Sequence, residues 1–193
     1  VIGDTNSLKG SNNKVAGKLN QVNGDTNVMR GDSNLVNGSS NLIDGSQSVI
    51  TGCNNAAKGN QNVITGNENS AIGSANSIEG IRNQILGELN FIKGSENVLQ
   101  GSKNKVTGKQ NTVSGNTNLL TGSNNMVSGS SNSVAGNSNG IRGNFNQAFG
   151  DFNILDGASN KIRGELNSVF GDFNQIFGSN NAVKGEENKV KGS

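Results

Sequence analysis

Histidine, proline, tyrosine and tryptophan are absent from this chain, and cysteine occurs once, at Cys53. With no His, Tyr or Trp and a single Cys, the chain lacks the usual general bases, nucleophile–base pairs and metal-ligand clusters. The sequence therefore reads as non-enzymatic: no catalytic residue, no metal ligand set and no cofactor. A lone Cys excludes an internal disulfide and leaves the redox compartment open. No stretch is long and apolar enough to cross a membrane, and no signal-peptide pattern is present. The 16 basic and 14 acidic residues are interleaved and leave a net charge of only +2, so no basic stripe marks a nucleic-acid partner. The glycines sit in neither of the phosphate-binding contexts GxxxxGK[ST] and GxGxxG, and the acids lack the GGxGxDx pattern of calcium-binding rolls.

What is present is a repeat. Gly falls on every seventh residue from Gly3 to Gly192, and Asn stands four before it in 26 of 27 complete heptads, Ser48 being the exception. Written from Asp4, each heptad reads x-x-Asn-x-apolar-x-Gly, as in SNNKVAG (11–17) and NQNVITG (60–66). Fixed-period self-similarity of this kind marks a solenoid. The fifth place is apolar in all 27 copies, with Ala only at 57, 71 and 148. Alternation along a strand sends places 3, 5 and 7 inward and places 4 and 6 outward. Places 1 and 2, rich in Ser, Asp, Asn, Glu and Lys, follow the Gly and suit a tight corner where Gly supplies positive φ or close backbone approach. Each heptad is one short strand plus one corner.

A coiled coil also has a period of seven, but it needs two apolar seams, and a Gly in every heptad costs a helix about 1 kcal/mol per copy. Collagen needs Gly every third residue and Pro. Disorder fits the polar composition but gives no reason to hold an aliphatic residue at one phase.

Two heptads per turn close a flattened roll with two faces, whereas three would build a triangular prism. The shared Asn-Gln-x-Phe of NFNQAFG (144–150) and DFNQIFG (172–178), 28 residues apart, favours the 14-residue turn. The expected fold is thus an all-β, parallel β-solenoid of about 13.5 turns, a single continuous domain over 1–193, uncapped at both ends. Its core is the place-5 column, including Val15, Val36, Ile64, Ile85, Val106, Val127 and Ile176. The place-3 amides, among them Asn6, Asn13, Asn20, Asn62, Asn104, Asn125 and Asn174, are expected to stack as a structural ladder. Each would bond to its copies above and below while tying down corner backbone, an arrangement in which the charges of Asp would repel.

Three features point outward. Cys53 is at a corner and should be exposed or half-exposed. The chain begins at Val1-Ile2-Gly3, mid-heptad, and stops at Ser193, which predicts a segment of a longer solenoid or a subunit that stacks end to end. Six of the seven Phe lie between 145 and 177, at outward places: Phe145, Phe149, Phe152, Phe170, Phe173 and Phe177. They form a candidate patch for lateral self-association, against the alternative that the rings only cover corners of the roll. One glycosylation sequon, Asn37-Gly38-Ser39, also lies at a corner.

The heptads SKNKVTG (102–108), KQNTVSG (109–115), SNNMVSG (123–129) and SSNSVAG (130–136) resemble the N-x-V-x-G units of the ice-recrystallisation-inhibiting, ice-binding proteins of grasses. That resemblance implies a left-handed, two-sided β-roll with ice as its ligand, bound on a flat face of short Thr, Ser and Val side chains. A looser likeness joins the repeat to the 14-residue turns of trimeric autotransporter adhesin heads, whose motif favours Ser and Ala in place of Asn. The candidate ice face consists of Val49, Thr51, Val63, Thr65, Thr107 and Thr121, interrupted by Glu79, Phe91, Lys93 and Lys105.

The leading functional reading from sequence is a non-catalytic structural β-solenoid, a segment or subunit of an extracellular filament, stalk or surface rod. The alternative is an ice-binding, ice-recrystallisation-inhibiting protein. Both place the chain outside the cell or on its surface, without nucleic acid and without membrane insertion.

Overall fold

Places 4 to 6 of every heptad are extended in the computed structural model, which describes residues 1–192. There are 27 strands, from Ser7–Lys9 to Lys189–Lys191, and no helix among the described residues. Most are three residues long; Ser77–Ile81, Phe91–Ser95 and Lys105–Lys109 run on to five. Pairing is parallel and always 14 residues away. Val49, Ile50 and Thr51 face Val63, Ile64 and Thr65, while Leu42, Ile43 and Asp44 face Ala56, Ala57 and Lys58. Two heptads therefore make one turn, and odd and even heptads form separate sheets, called front and back below. The protein is an all-β parallel solenoid, a flattened roll of about 13 turns.

Contacts group these turns into two units, residues 1–96 and 97 onward. In the first, the front sheet runs from Ser7–Lys9 to Phe91–Ser95 and the back sheet from Lys14–Ala16 to Gln84–Leu86. In the second, the front sheet runs from Lys105–Lys109 to Lys189–Lys191 and the back sheet from Val98–Gln100 to Ala182–Lys184.

Inside each unit the place-5 side chains form the expected core, with Val15, Val36, Ile64, Ile85, Val106, Val127 and Ile176 all buried. A single aliphatic group per strand is a thin core, and the Asn column completes it. Asn34 shows the arrangement: its backbone N–H and its Nδ2 both donate to Asn20 Oδ1 (3.0 and 3.1 Å), and Nδ2 also donates to the Gly45 carbonyl (2.8 Å). One amide thus ties its own turn to the turns on either side. Asn125 repeats the pattern with Asn111 and Gly136. Asn20, Asn62, Asn104, Asn125 and Asn174 are fully buried, and Asn6 and Asn13 half-buried. No buried side-chain polar atom lacks a partner among the described residues.

The corners reverse the chain in four residues. The Gly takes a positive φ (142° at Gly38), and a Cβ there would run into the carbonyl oxygen of Gly52, one turn on. Place 2 is also left-handed, at φ of 57° to 61° in all 27 copies, including Thr26, Leu19, Phe145 and Glu187. That conformation turns the place-2 N–H onto the neighbouring turn, as when Thr26 donates to the Ser11 carbonyl (2.9 Å) and Phe145 to that of Ser130 (3.0 Å). Place 1 supplies a second ladder: the Ser11 N–H donates to Asp25 Oδ1 (2.6 Å), that of Asp25 to Ser39 Oγ (3.1 Å), and that of Ser130 to Asn144 Oδ1 (2.7 Å). The abundance of Ser, Asp and Asn at place 1 follows, because each short side-chain oxygen accepts from a corner N–H of the neighbouring turn.

Candidate functional site

With places 3, 5 and 7 consumed by the roll, only the outward side chains are free to act on anything else. On the front sheet of the first unit, Val49-Ile50-Thr51 and Val63-Ile64-Thr65 are adjacent strands in register, so valine stands beside valine and threonine beside threonine. Both Val and both Thr are exposed. Strand pairing sets their repeat at about 4.8 Å across the sheet and about 6.7 Å between places 4 and 6 along it. Val and Thr are β-branched, and their stiff χ1 keeps the methyl and hydroxyl groups in a fixed array.

The flanks of this array are also ordered. On one side, Leu35 and Asn37 face Val49 and Thr51, and Asn37 Oδ1 accepts from Asn23 Nδ2 (3.2 Å). On the other, Ser77 and Glu79 face Val63 and Thr65, and Glu79 Oε1 lies 3.1 Å from Lys93 Nζ. That ion pair holds the two long side chains along the column. In the second unit the front sheet pairs Thr107 with Thr121 and Lys105 with Leu119, followed by Ser133 and Ala135. The candidate residues therefore come together as two groups. Val49, Thr51, Val63 and Thr65 make one compact array; Thr107 and Thr121 make a pair within the other unit, with Thr107 half-buried.

The back sheets differ in character. In the first unit, Arg30, Asp44, Lys58, Ile72 and Leu86 follow one another in the place-6 column, beside a trough of about 440 Å3 over Ala56, Ala57, Ser70 and Ala71. Alanine at two consecutive core positions, with small residues outside them, makes that dip.

The six clustered Phe are distributed around the second unit. Phe149 and Phe177 flank Arg163 in one column of the front sheet, and Phe170 stands on the back sheet between Asp156 and Lys184. Phe145, Phe152 and Phe173 occupy left-handed corner positions and are strongly exposed. Closeness in sequence does not place them on one surface. Cys53 is an exposed corner residue whose N–H donates to Asn67 Oδ1 (2.8 Å). No group of three or more potential metal ligands occurs among the described residues.

Against this geometry, the family model described as the grass antifreeze β-roll matches residues 1–80 and, in an overlapping second match, 51–136. The chain belongs to that family. The matched span contains the whole Val/Thr array and the Thr107–Thr121 pair. From residue 137 on, the heptads continue past the matched region with the same strands and the same ladders. No curated protein matches the chain by sequence. No helix among the described residues is long and apolar enough to cross a membrane.

Proposed function

We propose that the chain binds ice and restrains the growth or recrystallisation of ice crystals, with the array of Val49, Thr51, Val63 and Thr65 as its principal contact. The observation that carries this reading is the in-register pairing of two Val-x-Thr strands on an exposed sheet in a chain of the antifreeze β-roll family. A hydroxyl and a methyl repeated at fixed spacing can hold surface water in an ordered layer. Each such contact is weak, so affinity must come from many of them presented without an ordering cost. The ladders provide the rigid backing, and the β-branched side chains lose little rotamer freedom on contact. The filament or surface-rod reading is the weaker account, since nothing in the family or the sheets favours it over ice. Action outside the cell or at its surface fits this role, because that is where such a face would meet ice.

The test is an ice-recrystallisation and thermal-hysteresis assay on the purified chain, beside Thr51→Lys and Thr65→Lys, with Ser70→Lys on the back sheet as control. Lysine on the front array should abolish the effect on ice while circular dichroism and melting stay within a few degrees of the parent, since each Thr side chain is exposed. The control should keep full activity. A parent protein that leaves ice growth unchanged refutes the reading.

A further inference from the structure

Gly140 is the one glycine outside the heptad register whose surroundings the fold does not explain. It stands at an outward place on the back sheet of the second unit, its φ is not positive, and a Cβ built on it would meet nothing within 4 Å. Its effect is to open a trough of about 340 Å3, bordered by Met126, Ile154 and Phe170 and by the Arg142–Asp156 ion pair (3.7 Å). Met126, Ile154 and Phe170 are 64%, 55% and 46% exposed, a concentration of apolar surface in the middle of this sheet.

We propose that this back sheet is a self-association surface, occupied by the same sheet of a second copy. The argument is self-complementarity. A two-fold axis lying along the strands, midway between Gly140–Arg142 and Ile154–Asp156, reverses the order of turns and sets place 4 against place 4 and place 6 against place 6. Ile154 of each copy then enters the gap left by the other's Gly140. Met126 meets Ser168, and Phe170 meets Ser128, so every bulky side chain faces a small one and the two sheets can approach evenly. Arg142 faces Asp156 in both directions, which closes a four-charge cluster of alternating sign. Shifting the axis onto Ile154–Asp156 instead would oppose Asp156 to itself, so charge fixes the register.

The area limits the strength. Six strands at about 4.8 Å, each about 10 Å long, give roughly 300 Å2 per copy, and the two copies together stay under the 1,200 Å2 or so of a stable complex. The dimer is therefore weak and reversible, and forms only at high protein concentration. Both front sheets remain uncovered and point away from each other, which leaves the surfaces free for other contacts.

Sedimentation equilibrium on the full chain, up to about 1 mM, tests the proposal. The parent should show monomer–dimer exchange. Gly140→Leu should be monomeric throughout yet fold as the parent does, because the space is open in the monomer and the backbone suits any residue. Arg142→Asp and Asp156→Arg should each be monomeric alone, should form a mixed dimer when combined in equal amounts, and the double swap should self-associate again. A parent that stays monomeric at 1 mM, a Gly140→Leu protein that still dimerises, or single charge variants that fail to pair when mixed would each overturn the proposal.

Discussion

At the scale of the residue, the molecule depends on what an amide can do that no other short side chain can. Asn at place 3 accepts two N–H bonds on Oδ1 and donates in both directions from Nδ2, so it meets its own copies and the corner Gly carbonyl together. This column was legible in the sequence, because only a structural demand keeps one polar residue in phase with one aliphatic residue. Ser48 shows the demand by falling short of it. Its N–H still donates to Asn34 Oδ1 (2.9 Å), and its Oγ accepts from the Asn62 N–H (3.2 Å), but a hydroxyl has no NH2 to send to the neighbouring turns. Replacing it with Asn should restore three hydrogen bonds at a buried site, two donated by its own Nδ2 and one received from Asn62 Nδ2, worth about 1.5–4.5 kcal/mol in sum. Ser48→Asn is thus expected to raise the denaturation midpoint in urea. An unchanged or lowered midpoint would mean that the side-chain rungs add nothing net to the backbone ladder.

At the scale of the element, the corner contains the least legible part of the fold. The sequence pointed to Gly as the source of positive φ, and Gly does supply it. Place 2 adopts a left-handed conformation too, in Thr, Leu, Phe and Glu, residues that carry no such preference. Each costs about 1–2 kcal/mol in that conformation. Against this stand three corner hydrogen bonds, donated by the N–H groups of places 1, 2 and 3 to the adjoining turn, at about 0.5–1.5 kcal/mol each. The hydrogen bonds win, so the corner overrides residue preference, and that is why no signal at place 2 announced it. The cost should be recoverable where the residue is β-branched. Thr26 sits at φ 61°, while Asn12, Asn54 and Asn124 occupy equivalent corners and tolerate the conformation better. Thr26→Asn should stabilise by about 0.5–1 kcal/mol in equilibrium unfolding, without altering circular dichroism. A neutral or negative result would show that the corner backbone carries no residue-dependent strain.

At the scale of the whole molecule, the core repeats every seven residues but the surface does not. Strand, ladder and corner use the same heptad on both sheets, whereas the outward places differ between front and back and along each of them. The inward half was therefore readable from one sequence. The Val/Thr array is visible only once a 14-residue turn brings its two strands together, and the trough at Gly140 lies at an outward place that no rule of the repeat governs. The same mismatch offers a test that separates fold from function. Deleting residues 53–59, one heptad between Val49-x-Thr51 and Val63-x-Thr65, keeps every Asn, aliphatic residue and Gly in phase, and Asn62 then stacks on Asn41 as an ordinary rung. It also sends Val63 and Thr65 to the back sheet, away from Val49 and Thr51. Deleting residues 67–80 removes two heptads and leaves the four residues together. Both proteins should fold with the strand content of the parent, since nearest-neighbour stacking is all that a solenoid requires. The 14-residue deletion should keep its effect on ice, and the seven-residue deletion should lose most of it. Retention of full activity after loss of 53–59 would show that ice is met by some surface other than this array. Failure of that protein to fold would instead show that the two sheets are not interchangeable, which their identical core pattern says they are.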